Sequence, residues 1–106
     1  MATMSNVKEI TRGDTAMFSV SLYDMDGDPY IPDEGDVLTF YLLDKDCDEL
    51  TDAVLTKDIP ISTMQLELLP SETANLSTKS YAYRIRIKDT ADREWTVVKS
   101  KMKAIC

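Results

Sequence analysis

The residues best equipped for chemistry in this chain are acids. Asp24-Met25-Asp26-Gly27-Asp28 sets three carboxylates around a glycine, and Asp44, Asp46 and Asp48 set three more in a second short stretch. Hard oxygen donors of this kind hold Ca²⁺, but an EF-hand loop needs glycine at its sixth position and a bidentate acid at its twelfth. Here glycine is the fourth residue of the run, and no helical period flanks it. The expectation is a hairpin turn, with a calcium-stabilised adhesion domain as the third-ranked reading of the chain.

Histidine is absent. A Ser-His-Asp or Cys-His centre cannot be built, and the commonest transition-metal ligand is missing. Every acidic cluster lies in turn-like sequence without an apolar pocket beside it, so the expectation is a non-enzyme with no cofactor and no metal. Arg12-Gly13-Asp14 matches a tripeptide that some adhesion receptors read. A glycine turn ahead of a strand accounts for it. Cys47 and Cys106 are too few for a disulfide framework. Two reduced thiols are the favoured reading and a bridge between them the lesser one.

The elements that must position these groups read as strands. Val7–Thr11 is a short edge strand, and Arg12-Gly13-Asp14 a turn. Phe18, Val20 and Leu22 alternate with Ser19 and Ser21, the period of a half-buried strand. Residues 24–29 end it with turn chemistry, and 31–36 form a loop. Val37–Asp44 is apolar almost throughout, with Leu38, Phe40 and Leu42 as the core face. The stretch 44–52 is an acidic loop. Ala53–Ile59 is a modest strand that Pro60 confines to an edge or an end. Met64, Leu66 and Leu68 form a further strand, and Pro70–Leu76 one short helical turn.

Tyr81, Tyr83, Ile85 and Ile87 alternate with Ala82, Arg84, Arg86 and Lys88, the clearest amphipathic strand in the chain. After a hairpin turn at Asp89–Arg93, Trp95–Ile105 changes phase. Trp95 and Val97 share parity with Lys99, Lys101 and Lys103, while Val98, Met102 and Ala104 lie on the other; a bulge near Ser100 would reconcile them. Seven or eight short strands with turn signals about every ten residues define the expected class. It is an all-β, Ig-like antiparallel β-sandwich, one domain over 1–106 with residues 1–6 frayed; a small barrel is the alternative.

Four groups then stand out. Tyr81, five residues after Leu76, is placed for a tyrosine corner, in which a phenol bonds the nearby backbone. Trp95 reads equally as core or as an interface anchor. Lys99, Lys101 and Lys103 share one face of the last strand. They either block unwanted edge pairing or meet an acidic partner, such as the acidic half of another copy. Tyr23, Tyr30, Tyr41 and Trp95 could line a groove, and on them rests the second-ranked function, a carbohydrate- or cell-surface-binding Ig-like module.

Charge narrows the partners. The chain has 12 basic and 19 acidic residues, net −7, which disfavours nucleic acid. Residues 1–53 hold 3 basic and 13 acidic residues, and 54–106 hold 9 and 6. Such a split can draw together copies of the chain or a complementary partner, unless interleaved strands blur it. No segment has the roughly 20 apolar residues of a membrane span, and no signal peptide is visible. No membrane insertion is expected, and the product should be cytosolic and soluble when made.

Several segments together resemble a known family. Ile10-Thr11-Arg12-Gly13-Asp14-Thr15-Ala16-Met17-Phe18-Ser19-Val20 leads into Leu22-Tyr23-Asp24-Met25-Asp26-Gly27-Asp28-Pro29-Tyr30 and Gly35-Asp36-Val37-Leu38-Thr39-Phe40-Tyr41-Leu42. Leu66-Glu67-Leu68-Leu69-Pro70-Ser71-Glu72-Thr73-Ala74-Asn75-Leu76, Tyr81-Ala82-Tyr83-Arg84-Ile85 and Trp95-Thr96-Val97-Val98 follow. In order and spacing, over about residues 7–105, they resemble the N-terminal Ig-like domain of phage upper baseplate proteins and related prophage tail-associated domains. The resemblance implies a structural protein of the virion tail, made in a bacterial host cytoplasm. It would act by packing with other tail or baseplate proteins or as a homo-oligomer. Two departures are visible. Lys79-Ser80 stands where the family commonly has a glycine before Tyr81, and the family's linker helices or fibre module do not follow Cys106. The second departure points away from a direct role as receptor-binding connector.

Overall fold

The computed structural model describes residues 2–4, 9–23, 26–45 and 49–106, with backbone pairing alone for 2–4. The readings of Asp24, Asp46, Cys47 and Asp48, and of Val7 in the first strand, lie outside the described residues. Strands run β1 (Ala2–Met4), β2 (Glu9–Thr11), β3 (Ala16–Tyr23), β4 (Pro29–Tyr30) and β5 (Val37–Leu43). A 3₁₀ turn (Leu50–Asp52) precedes β6 (Leu55–Ile59) and β7 (Gln65–Leu68); then come helix α1 (Pro70–Thr73), β8 (Ser80–Lys88) and β9 (Glu94–Ile105).

These strands form two sheets. One has the order β2-β9-β8-β5-β6; in the other, β3 pairs with β1, β4 and β7. Every pairing is antiparallel except β2 with β9, which run parallel over Glu9–Thr11 and Lys103–Ile105. The leading segment therefore serves both sheets, first through β1 and then through β2. Residues 2–4, expected to be frayed, are instead paired with Val20–Leu22. The reason is that β3 has backbone donors and acceptors there that need partners. The fold is an Ig-like β-sandwich.

Alternation places the core as expected. Leu38, Phe40 and Leu42 are fully buried, as are Leu66, Leu68, Ile85 and Ile87. Burying each such side chain is worth about 1.5–3 kcal/mol over leaving it in water. Phe40 and Tyr83 meet with ring centroids 5.7 Å apart and planes tilted by 34°. Tyr30, Met64 and Val97 close the margins of this cluster.

The bulge in β9 falls three residues earlier than its sequence suggests. Ile85 pairs with Val98, but Arg86 pairs with Thr96, so Val97 is the extra residue. One inserted residue flips parity. Trp95 thereby shares the inward side with Ile87, while Lys99, Lys101 and Lys103 point outward beyond the bulge. The apolar and cationic positions that seemed to share a face belong to opposite ones.

Turns follow their local chemistry. The Asp89 carboxylate accepts from the backbone N–H of Ala91 and Arg93 (2.9 Å each) and from Arg93 Nε (2.8 Å). The Arg93 amide, with these other donors, holds the Asp89 carboxyl below its usual range despite some burial. The hairpin abuts loop 31–36 so closely that a Cβ on Gly35 would meet Thr90 Cγ2 at 2.8 Å. The two loops thus form one end of the sandwich.

Candidate functional site

The Pro70–Leu76 turn joins the sandwich to its first loop. Pro70 opens α1, and the Glu72 carboxylate reaches back to accept from the Leu69 N–H at 2.8 Å. Glu72 also receives Lys57 Nζ at 2.9 Å, closing the side of the sandwich beside β6. Thr73 is the one fully buried polar residue among the described residues. Its hydroxyl donates to the Asp14 carbonyl (2.8 Å) and accepts from the Gly13 N–H (3.0 Å). Arg12 adds a bond to the Ala74 carbonyl at 3.0 Å. The Arg12-Gly13-Asp14 turn is therefore bolted to α1, with its guanidinium bonded to the Ala74 carbonyl at the surface.

Burial pushes the Glu72 carboxyl up, but the Leu69 amide and the Lys57 ammonium outweigh it, and its pKa lies below the usual value. A carboxylate with a depressed folded pKa stabilises the fold above its unfolded pKa, roughly 4.3, and loses that contribution as pH falls through the folded value. Asp89 shifts the same way. Acid titration of unfolding should show stability falling below about pH 4.3. Glu72→Gln should flatten that slope while lowering stability near neutrality.

Tyr81 is buried, and its phenol oxygen accepts from the Ser77 N–H at 2.8 Å, beside buried Leu76. Lys79 Nζ lies 5.1 Å from the Tyr81 ring centroid and is ion-paired with Asp44. The Lys79 carbonyl accepts from the Ala104 N–H at 2.9 Å. Among the described residues, positive φ outside glycine occurs only at Met64 and Asp92, so Lys79 and Ser80 make this turn without a left-handed residue. Tyr81→Phe should cost about 1–2 kcal/mol, because the Ser77 donor loses its acceptor. Urea unfolding checks the loss.

The outer face of the five-stranded sheet gathers cations. Register places Arg84, Arg86, Lys88, Lys99, Lys101 and Lys103 there, with Glu9, Asp58 and Glu94 as its acids. Arg86 lies 3.7 Å from Glu94, and Lys88 3.9 Å from the same carboxylate. Lys101 and Lys103 are exposed and form no ion pair among the described residues. The split of charge seen in the sequence is only partly blurred: Lys79–Asp44 links the halves, but the face as a whole stays basic. Among the described residues β2 covers β9 only at 103–105, which leaves Lys99 and Lys101 on an open stretch of strand.

The four aromatic candidates do not converge. Tyr23 points outward on β3, Tyr30 inward on β4, and Tyr41 outward on β5 beside Arg84. Trp95 is 43% exposed near the start of β9. Tyr23 and Tyr30 border a common hollow, a depression of about 190 Å³ with Ile31 and Met64. A second depression, about 340 Å³, lies between β6 and β7 against Met17 and Lys57.

Around the acidic runs, Asp26-Gly27-Asp28 forms a turn with Gly27 at φ 84°. Among the described residues no group of three His, Cys, Asp or Glu side chains is placed to hold a metal ion. Cys106 is an exposed free thiol. Among the described residues no helix is long and apolar enough to cross a membrane. Comparison with family models, curated proteins and solved structures found no match to the chain.

Proposed function

We propose that this chain is a non-enzymatic structural protein of a phage or prophage tail or baseplate, located in the virion and acting by assembly with other tail proteins or with itself. The observation that carries the reading is a basic sheet face on a chain of net charge −7. Such a surface suits docking against an acidic protein or an acidic part of another copy. Both margins of the five-stranded sheet bear devices that discourage strand addition. On β9 these are the Val97 bulge and the lysines; on β6 they are Pro60 and the Lys57 side chain that lies on the inward side. Docking therefore proceeds through faces and ends rather than by extending a sheet.

The phage assignment itself rests on the resemblance in strand phrases and spacing. Two measurements test it. Neighbouring genes should encode tail, holin or lysin functions, and purified tail particles should contain the chain by mass spectrometry. A metabolic gene neighbourhood, or tail particles free of the chain, would overturn it.

A further inference from the structure

Resting on the reading as an assembly domain, we propose that its partner includes a second copy bound head to face. The acidic loop-and-hairpin end of one molecule seats on the basic outer face of the five-stranded sheet of the next.

The two surfaces have opposite signs and lie on one chain. Residues 13–44 contain no Lys or Arg. Within them Asp33, Glu34 and Asp36 form a loop that touches the 89–93 hairpin, itself carrying Asp89 and Asp92. Within the hairpin Arg93 pairs with Asp89 at 2.8 Å, and Lys88 at the end of β8 pairs with Asp92 at 3.5 Å, so the negative charge of this end comes from the loop acids. Asp33, Glu34 and Asp36 have no cationic partner among the described residues. The negative field there reaches Tyr30, whose hydroxyl pKa is raised by burial and then by Asp36, Asp33 and Asp89.

Sign decides the geometry. Basic face on basic face, or acidic end on acidic end, sets like charges against each other, and only end on face matches. Because the two surfaces differ, the contact is heterologous. Each added copy presents a fresh acidic end or a fresh basic face, so association continues past a dimer. The contact weakens with salt.

Light scattering and sedimentation of the full chain at low and high salt provide the test. Average mass should rise past a dimer with concentration at low salt and fall back in high salt. Lys101→Glu with Lys103→Glu, and separately Asp33→Lys with Glu34→Lys, should each weaken association by about tenfold or more. The four changes together should restore it, and urea midpoints should show that all variants fold. If the native chain associates but neither charge-reversed pair weakens it, the head-to-face contact is wrong while the assembly reading stands. A native chain that stays monomeric at low salt also overturns the contact, and the tail-particle and gene-neighbourhood results then judge the assembly reading separately.

Discussion

Phe40→Ala is expected to lower the unfolding free energy by about 3–5 kcal/mol. Phe40 has no exposed surface, and it lies in β5 between β6 and β8, opposite Lys57 on one side and Ile85 on the other. Its ring fills the space between the sheets and contacts Tyr83. Truncation removes the buried area, leaves a cavity that a closely packed sandwich cannot collapse, and strips Tyr83 of its partner. Against a total of roughly 5–15 kcal/mol for a domain, that is a large share. Urea titration should show a lower midpoint at unchanged slope. Phe40→Leu should recover most of the loss. A change below about 1 kcal/mol would mean that the sheets do not meet at this residue.

Thr73→Val is the second large effect, about 1–3 kcal/mol. The substitution keeps the side chain's branching and replaces the hydroxyl with a methyl group. The Gly13 N–H and the Asp14 carbonyl then lose their partner. Since a missing bond to a part-buried group costs more than an average bond contributes, the loss should exceed that of a surface hydroxyl. Thr73→Ser should restore most of the stability. Hydrogen exchange at the Gly13 amide should quicken in the valine variant and not in the serine one. An equally stable valine variant would show that the first turn and α1 are held together by other contacts.

Much of the architecture could be read from alternation. The faces of β3, β5, β7 and β8 follow directly from period-two patterning, since a strand with one buried face leaves little freedom of register. Pro70 announced the helical turn, and the spacing of Tyr81 from Leu76 announced a phenol bonded to the corner. The bulge was foreseen but misplaced, because parity alone says that a residue is extra and not where it sits. Cross-strand pairing with Ile85 and Arg86 singles out Val97. The parallel pairing of β2 was beyond reach, as a three-residue strand carries no directional signal. Thr73 passed unnoticed for a related reason: a lone threonine in a polar turn gives no hint that two backbone groups 59 and 60 positions away converge on its hydroxyl. The basic face could be glimpsed in the Lys99-Lys101-Lys103 row, but joining it to Arg84 and Arg86 required the register.

The parallel lie of β2 against the end of β9 has a mechanical meaning. Tension applied through the segment before Glu9 and the segment after Ile105 pulls these neighbours in opposite directions along their length. Their cross-links, including Arg12 N–H to the Ile105 carbonyl at 2.8 Å, then carry the load side by side instead of parting in sequence like a zipper. Rupture under force is governed by the barrier to unfolding rather than by the equilibrium balance. This small clasp therefore resists a pull in shear.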